Sequence, residues 1–148
     1  MNKKLTLYQT FNAMRVFLNL YCERNKADDI TMLLGGLHLA NNSNDWQENP
    51  RTWDPPAWED WMDGVNKTLQ DLHIQEDPKK ILYDEHTAFL CMKNYLQLFY
   101  NQFSYDDIKQ VLNLLQSAQQ NSNNAVWNIW LLSIQHSMNE TYELDGWH

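Results

Sequence analysis

FLNLYCERNKADDITMLLGGL, residues Phe17–Leu37, has a counterpart later in the same chain, YLQLFYNQFSYDDIKQVLNLL, residues Tyr95–Leu115. The offset is 78 residues throughout. Leu18, Leu20, Asp28, Asp29, Ile30, Leu34 and Leu37 meet Leu96, Leu98, Asp106, Asp107, Ile108, Leu112 and Leu115. Upstream, Phe11 and Met14 meet Phe89 and Met92. A second match runs at an offset of 69, where WEDWMDGVNKTL (Trp58–Leu69) meets WNIWLLSIQHSM (Trp127–Met138). The apolar positions recur at three- and four-residue steps, the period of a helix with one buried face. Two copies of a three-helix unit account for both matches.

The expected fold is therefore all-α: a single-domain bundle of about six helices over residues 1–148, with pseudo-repeats about 5–72 and 83–141. The first helix of each copy is expected over about Leu7–Arg24, with Thr6 as its cap, and Asp84–Gln102. The second helices start at the Asp-Asp pairs, one acid capping free amides and the other meeting the positive end of the helix dipole. They are expected over about Ile30–Leu39 and Ile108–Gln119, and the third helices over Pro55–Asp71 and Asn124–Glu140. No segment shows sustained period-two alternation. Ile81–Tyr83 is compatible with a short strand but reads better as the lead into a helix.

The start of the first copy's third helix is WDPPAWEDWMDG, residues Trp53–Gly64. Asp54 before Pro55 is a helix-start signal, because aspartate accepts from first-turn amides and proline at the first position gives up no needed donor. Trp53 and Trp58 have the spacing of a hydrophobic staple. Trp58, Trp61, Met62, Val65 and Leu69 share one face, Asp60 and Asp63 point away from it, and Glu59 lies on the flank.

Composition narrows the function. The chain has 148 residues, a formal charge of −8 and no apolar run near bilayer length. The N-terminus lacks the pattern of a cleavable signal, so the expected location is the cytoplasm, with no membrane partner. The charge is concentrated: residues 41–77 hold two Lys/Arg against nine acids. Such a protein repels nucleic acid and attracts basic partners. Cys22 and Cys91 lie within apolar helical patterns and read as small core residues rather than a disulfide or a reactive thiol.

No H-E-x-x-H, C-x-x-C, phosphate loop, nucleophile elbow or EF-hand pattern occurs, so neither an enzyme, a metal site nor a cofactor is expected. Binding is the better expectation, and the differences between the copies say where. The first copy inserts nine residues before its third helix, giving the loop ANNSNDWQENPRTW (Ala40–Trp53). Where its third helix has Glu59, Asp60 and Asp63, the second has Asn128, Ile129 and Leu132. The second copy's third helix, apolar nearly all round, is expected to be central and buried. Large aromatics anchor interfaces and rim charges steer association. The candidate partner-binding residues are Asp45, Trp46, Glu48, Trp53, Glu59, Asp60 and Asp63. The alternatives are a Trp46 folded back over the core, a Trp53 serving only as a staple, and an acidic face serving only solubility.

Three motifs carry a resemblance. They are L-x-x-x-F-x-A-M-R-x-F-L at Leu7–Leu18, D-D-I-x-x-L-L-G at Asp28–Gly35 and D-P-x-A-W-E-D-W at Asp54–Trp61. Over roughly its first half the chain resembles small bacterial immunity proteins of contact-dependent growth inhibition systems, departing at Pro56 and in the longer loop before Asp54. The resemblance implies a cytoplasmic, non-enzymatic protein that binds one cognate toxin domain, often a nuclease or RNase with a basic cleft. A monomer in a 1:1 complex is expected. Since interfaces diverge on the shared scaffold, the resemblance assigns no binding residue. The rival expectation is a helical adaptor that binds an amphipathic segment of a partner.

Overall fold

The computed structural model describes residues 3–40, 44–121 and 124–139. Among these residues six helices follow one another: α1 (Leu7–Arg24), α2 (Asp28–Gly35), α3 (Pro55–Asp71), α4 (Glu85–Phe103), α5 (Asp106–Gln120) and α6 (Ala125–Asn139). Two short strands precede the first helix of each copy, β1 (Lys4–Leu5) and β2 (Tyr83–Asp84). They pair antiparallel with Leu5 opposite Tyr83, residues one repeat apart. Tyr83, expected to lead into a helix, is thus a strand residue: its backbone finds a partner in β1 that only the fold supplies. Among the described residues no helix is long and apolar enough to cross a membrane.

Helix ends follow local chemistry. Thr6 and Gln9 form a reciprocal capping box at α1, and Asp84 accepts from the Thr87 amide at 2.7 Å to cap α4. Thr6 and Asp84 are themselves one repeat apart. Three of the other four starts correct the sequence expectation. Neither Asp28 nor Asp106 caps its own helix; the capping positions fall on Ala27 and Tyr105, without a side-chain bond. Asp54 stands at the capping position of α3 but its carboxylate makes no cap either. Pro55 and Pro56 occupy the first two helical positions and have no N–H to give, and the Ala57 amide donates to the Asp54 main-chain oxygen at 3.0 Å. α2 ends at Gly35, short of the expected Leu39, because the following segment turns extended: Leu39 bridges to Thr52, and the Trp53 amide donates to His38 O at 2.9 Å.

The helices interleave across the repeat. α1 packs on α6, and α3 packs on α4, so each copy's first helix takes the third helix of the other. The ring contacts repeat with it. Trp61–Tyr95 ring centroids lie 5.9 Å apart and their repeat equivalents Trp130–Phe17 lie 6.1 Å apart. Within each copy, Phe11–Trp58 and Phe89–Trp127 both stand at 5.2 Å. α1 and α4 also touch each other and α1 carries the longest buried run, Leu7–Leu18 interrupted only by Gln9. The centre of the bundle is thus the pair of first helices. α6, expected to be central, is not: Leu132 is 46% exposed. Its buried Trp130, Ser133, Ile134 and Ser137 match the buried positions of α3. Its outward face is apolar in composition but not covered, because α1 and α4 already occupy the middle.

α3 and α4 approach closely at Gly64. A Cβ there would stand 2.8 Å from both Cα and N of Tyr95, so only glycine lets α3 lie this close to α4. Both cysteines are free; burial pushes the Cys91 thiol up to about 12, leaving it protonated and inert.

Candidate functional site

The two copies differ most between their second and third helices. α5 packs directly on α6, whereas α2 and α3 make almost no contact. α2 is only eight residues long, and the inserted loop carries the chain away before α3 begins. The gap is a groove floored by α4. One cavity, of about 250 Å³, is lined from α2 by Met32 and Leu33, from the start of α3 by Asp54, Ala57 and Asp60, and from α4 by Tyr95, Phe99 and Phe103. An adjoining cavity of about 340 Å³ shares Asp60, Tyr95 and Phe99 and adds Asp63. At equivalent positions of the second copy Gly36 becomes Leu114, Ala57 becomes Val126 and Asp60 becomes Ile129. Larger apolar side chains stand where the first copy has small or charged ones.

Aromatic rings and carboxylates meet in this groove. Phe99, Phe103 and Tyr105 form a ring cluster, with Phe103 and Tyr105 stacked at 5.7 Å and 8°. Met32 and Phe103 are 64% and 44% exposed, a large apolar surface left without cover. Around it stand Asp29, Asp54 and Asp60, with Asp63 beside them. Partial burial, followed by the charges of Asp63, Glu59 and Asp54, holds the Asp60 carboxyl above the usual carboxylate range. None of Asp54, Glu59, Asp60 and Asp63 has an ion-pair partner among the described residues. An ion pair on the same helix, Lys67–Asp71 at 3.2 Å, is exposed and lies further along α3.

The seven sequence candidates divide in two. Asp60 and Asp63 line the groove, and Glu59 is exposed on the same helix face-edge. Asp45, Trp46 and Glu48 do not line it. Trp46 is half-buried and packs edge-on against Tyr8 of α1 at 5.0 Å, folding the loop back over the core. Asp45 orders that loop by accepting from the Asn49 side chain at 2.9 Å, and Glu48 is exposed. Trp53 is 60% exposed, while Trp58, its expected staple partner, turns its ring onto Phe11. Trp53 is therefore open surface near the start of α3.

Sequence reasoning missed Asp29, Asp54, Tyr95, Phe99, Phe103 and Tyr105. Asp29 and Asp54 were spent on capping. The aromatics were available from the repeat read in reverse: where the second copy has Phe103 and Tyr105, the first has Asn25 and Ala27. Among the described residues no group of three or more His, Cys, Asp or Glu is placed to hold a metal. Compared with known proteins, the chain matches no family model, no curated protein and no solved structure.

Proposed function

We propose that this protein is a bacterial immunity protein of the contact-dependent growth inhibition type. It binds one basic toxin domain, such as a nuclease, in the cytoplasm and neutralises it as a 1:1 complex. The acidic side chains take the places of substrate phosphates and block the toxin's cleft. The observation that carries this reading is the groove between α2 and α3, where Asp54, Asp60 and Asp63 stand without cations among the described residues, beside the exposed ring of Phe103 and the half-buried rings of Phe99 and Tyr105. Clustered like charges work against folding, so their presence is better explained by a partner than by stability. Aromatic anchors with flanking charge are the composition of a protein interface.

The exposed Met32 and Phe103 favour a second reading, a helical adaptor for an amphipathic segment. Co-expression separates the two. The protein is purified by affinity with the toxin-like domain encoded beside it. Stoichiometric recovery of that domain, with its toxicity suppressed, is the expected result. A neighbour that is harmless to cells lacking this protein, and is not retained, would sink the immunity reading in favour of the adaptor.

A further inference from the structure

We propose that the groove between α2, α3 and α4 takes the guanidinium of one arginine side chain presented by the protein partner. This rests on the partner-binding reading above and names what the partner must offer. Charge gives the sign of the occupant: Asp29, Asp54 and Asp60 line the cavity and Asp63 its neighbour, with no cation paired to Asp54, Asp60 or Asp63 among the described residues.

A second observation points inward. Tyr95 is 2% exposed and lines both cavities, yet its hydroxyl has no hydrogen-bond partner among the described residues. Asp60 lines the same two cavities, and burial, followed by the Asp60 charge, pushes the Tyr95 hydroxyl above its ordinary value. Its oxygen is therefore a neutral acceptor standing beside a carboxylate, both open to an N–H donor.

Shape selects arginine over other cations. A cavity of about 250 Å³ holds one side chain, not a helix about 10 Å across. Phe99, Phe103 and Tyr105 line the cavity with aromatic rings suited to a planar cation, and Leu33 and Ala57 line it with apolar wall for the stem. A guanidinium stacks on rings and donates to several acceptors at once; an ammonium is a strongly hydrated point charge that does neither as well.

The test is an NMR titration of the full chain with N-acetyl-arginine amide, N-acetyl-lysine amide and N-acetyl-citrulline amide. Citrulline keeps the shape of arginine and loses its charge. Arginine is expected to shift resonances of Asp60, Tyr95 and Phe99, with citrulline and lysine weaker by about tenfold or more. Asp60→Asn should weaken arginine by a similar factor, and Phe103→Ala, at an exposed position, should weaken it without unfolding the chain. The proposal is overturned by no localised shift with arginine, by lysine or citrulline binding equally, or by arginine binding unchanged in both Asp60→Asn and Asp54→Asn. A toxin complex that forms without an arginine site removes this inference alone. An arginine site without any toxin complex removes the immunity reading alone.

Discussion

The backbone amide of Asp29 donates to Oδ2 of Asp107 at 2.9 Å, and the Ile30 amide reaches the same oxygen at 3.3 Å. The two aspartates are 78 residues apart and occupy the same place in the two copies. A carboxylate from the second copy thus caps α2 of the first, whose own capping residue, Ala27, offers no side-chain acceptor. No reciprocal bond runs from the start of α5 to Asp29 among the described residues, so the relationship is one-sided. Asp107→Ala should therefore cost about 0.5–2 kcal/mol, the usual range for a lost cap. Urea unfolding of the variant against the unsubstituted chain measures it; an unchanged midpoint would show that the bond contributes nothing.

Asp29 itself should show the opposite sign. Burial first, then the hydrogen bond and charge of Asp107, with Asp28 and Asp106 behind them, raise its carboxyl above the ordinary value. A raised native value means that the folded state holds the proton more tightly than the unfolded chain. That contribution is complete below about pH 4 and is lost as pH rises through the native value. Asp29→Asn keeps a donor toward Asp107 and removes the like charge. It should raise the melting temperature at pH 7, with the gain shrinking as the pH falls toward 4. A gain of equal size at both pH values would exclude the electrostatic cause.

Two glycines should respond oppositely to alanine. At Gly64 the added Cβ meets Tyr95 main-chain atoms at 2.8 Å, which cannot rotate away. Overpacking of about 1–3 kcal/mol should exceed the helix-propensity gain of up to about 1 kcal/mol, and the variant should melt earlier. At Gly35 nothing lies within 4 Å, so Gly35→Ala should stabilise by about 0.4–1 kcal/mol. Thermal melts of both variants suffice.

Trp61 and Trp130 are repeat equivalents, both fully buried, but only Trp130 uses its indole N–H, which donates to Glu85 O at 3.1 Å. The indole nitrogen of Trp61 is buried without a partner. Tryptophan-to-phenylalanine substitution removes similar packing at each site. Trp130→Phe should then be more destabilising than Trp61→Phe by about 1 kcal/mol, the net value of one hydrogen bond. Equal losses in denaturant unfolding would mean that the bond has no net effect.

Charge reversal reads the interface. The double substitution Asp60→Lys with Asp63→Lys should slow association with the toxin domain by about tenfold or more at low salt, with a smaller effect as ionic strength rises. Stopped-flow or surface-based kinetics at two salt concentrations give the answer. The same reversal at Asp45 and Glu48, whose loop folds onto Tyr8 through Trp46, should change the rate much less.

Helical periodicity, capping and proline signals act within a few residues, so the all-α class, the order of the six described helices and most of their ends are legible in the sequence. α1 and α3 begin and end where their patterns place them, at Leu7–Arg24 and Pro55–Asp71. It also identified the outward acids Asp60 and Asp63, since the two copies differ there. Which helix is central depends on packing between distant segments. Period marks a buried face without naming what buries it, so apolar α6 was assigned the middle that α1 and α4 hold. The groove belongs to the same class. It exists because the loop carries α3 away from α2, a separation in space that no local pattern encodes, and it gathers Asp54, Tyr95, Phe99 and Tyr105 from segments about forty residues apart in the chain. Asp107 shows the limit most plainly: its sequence neighbours predict a cap for its own helix, while the packing of the two copies brings it to the helix of the other.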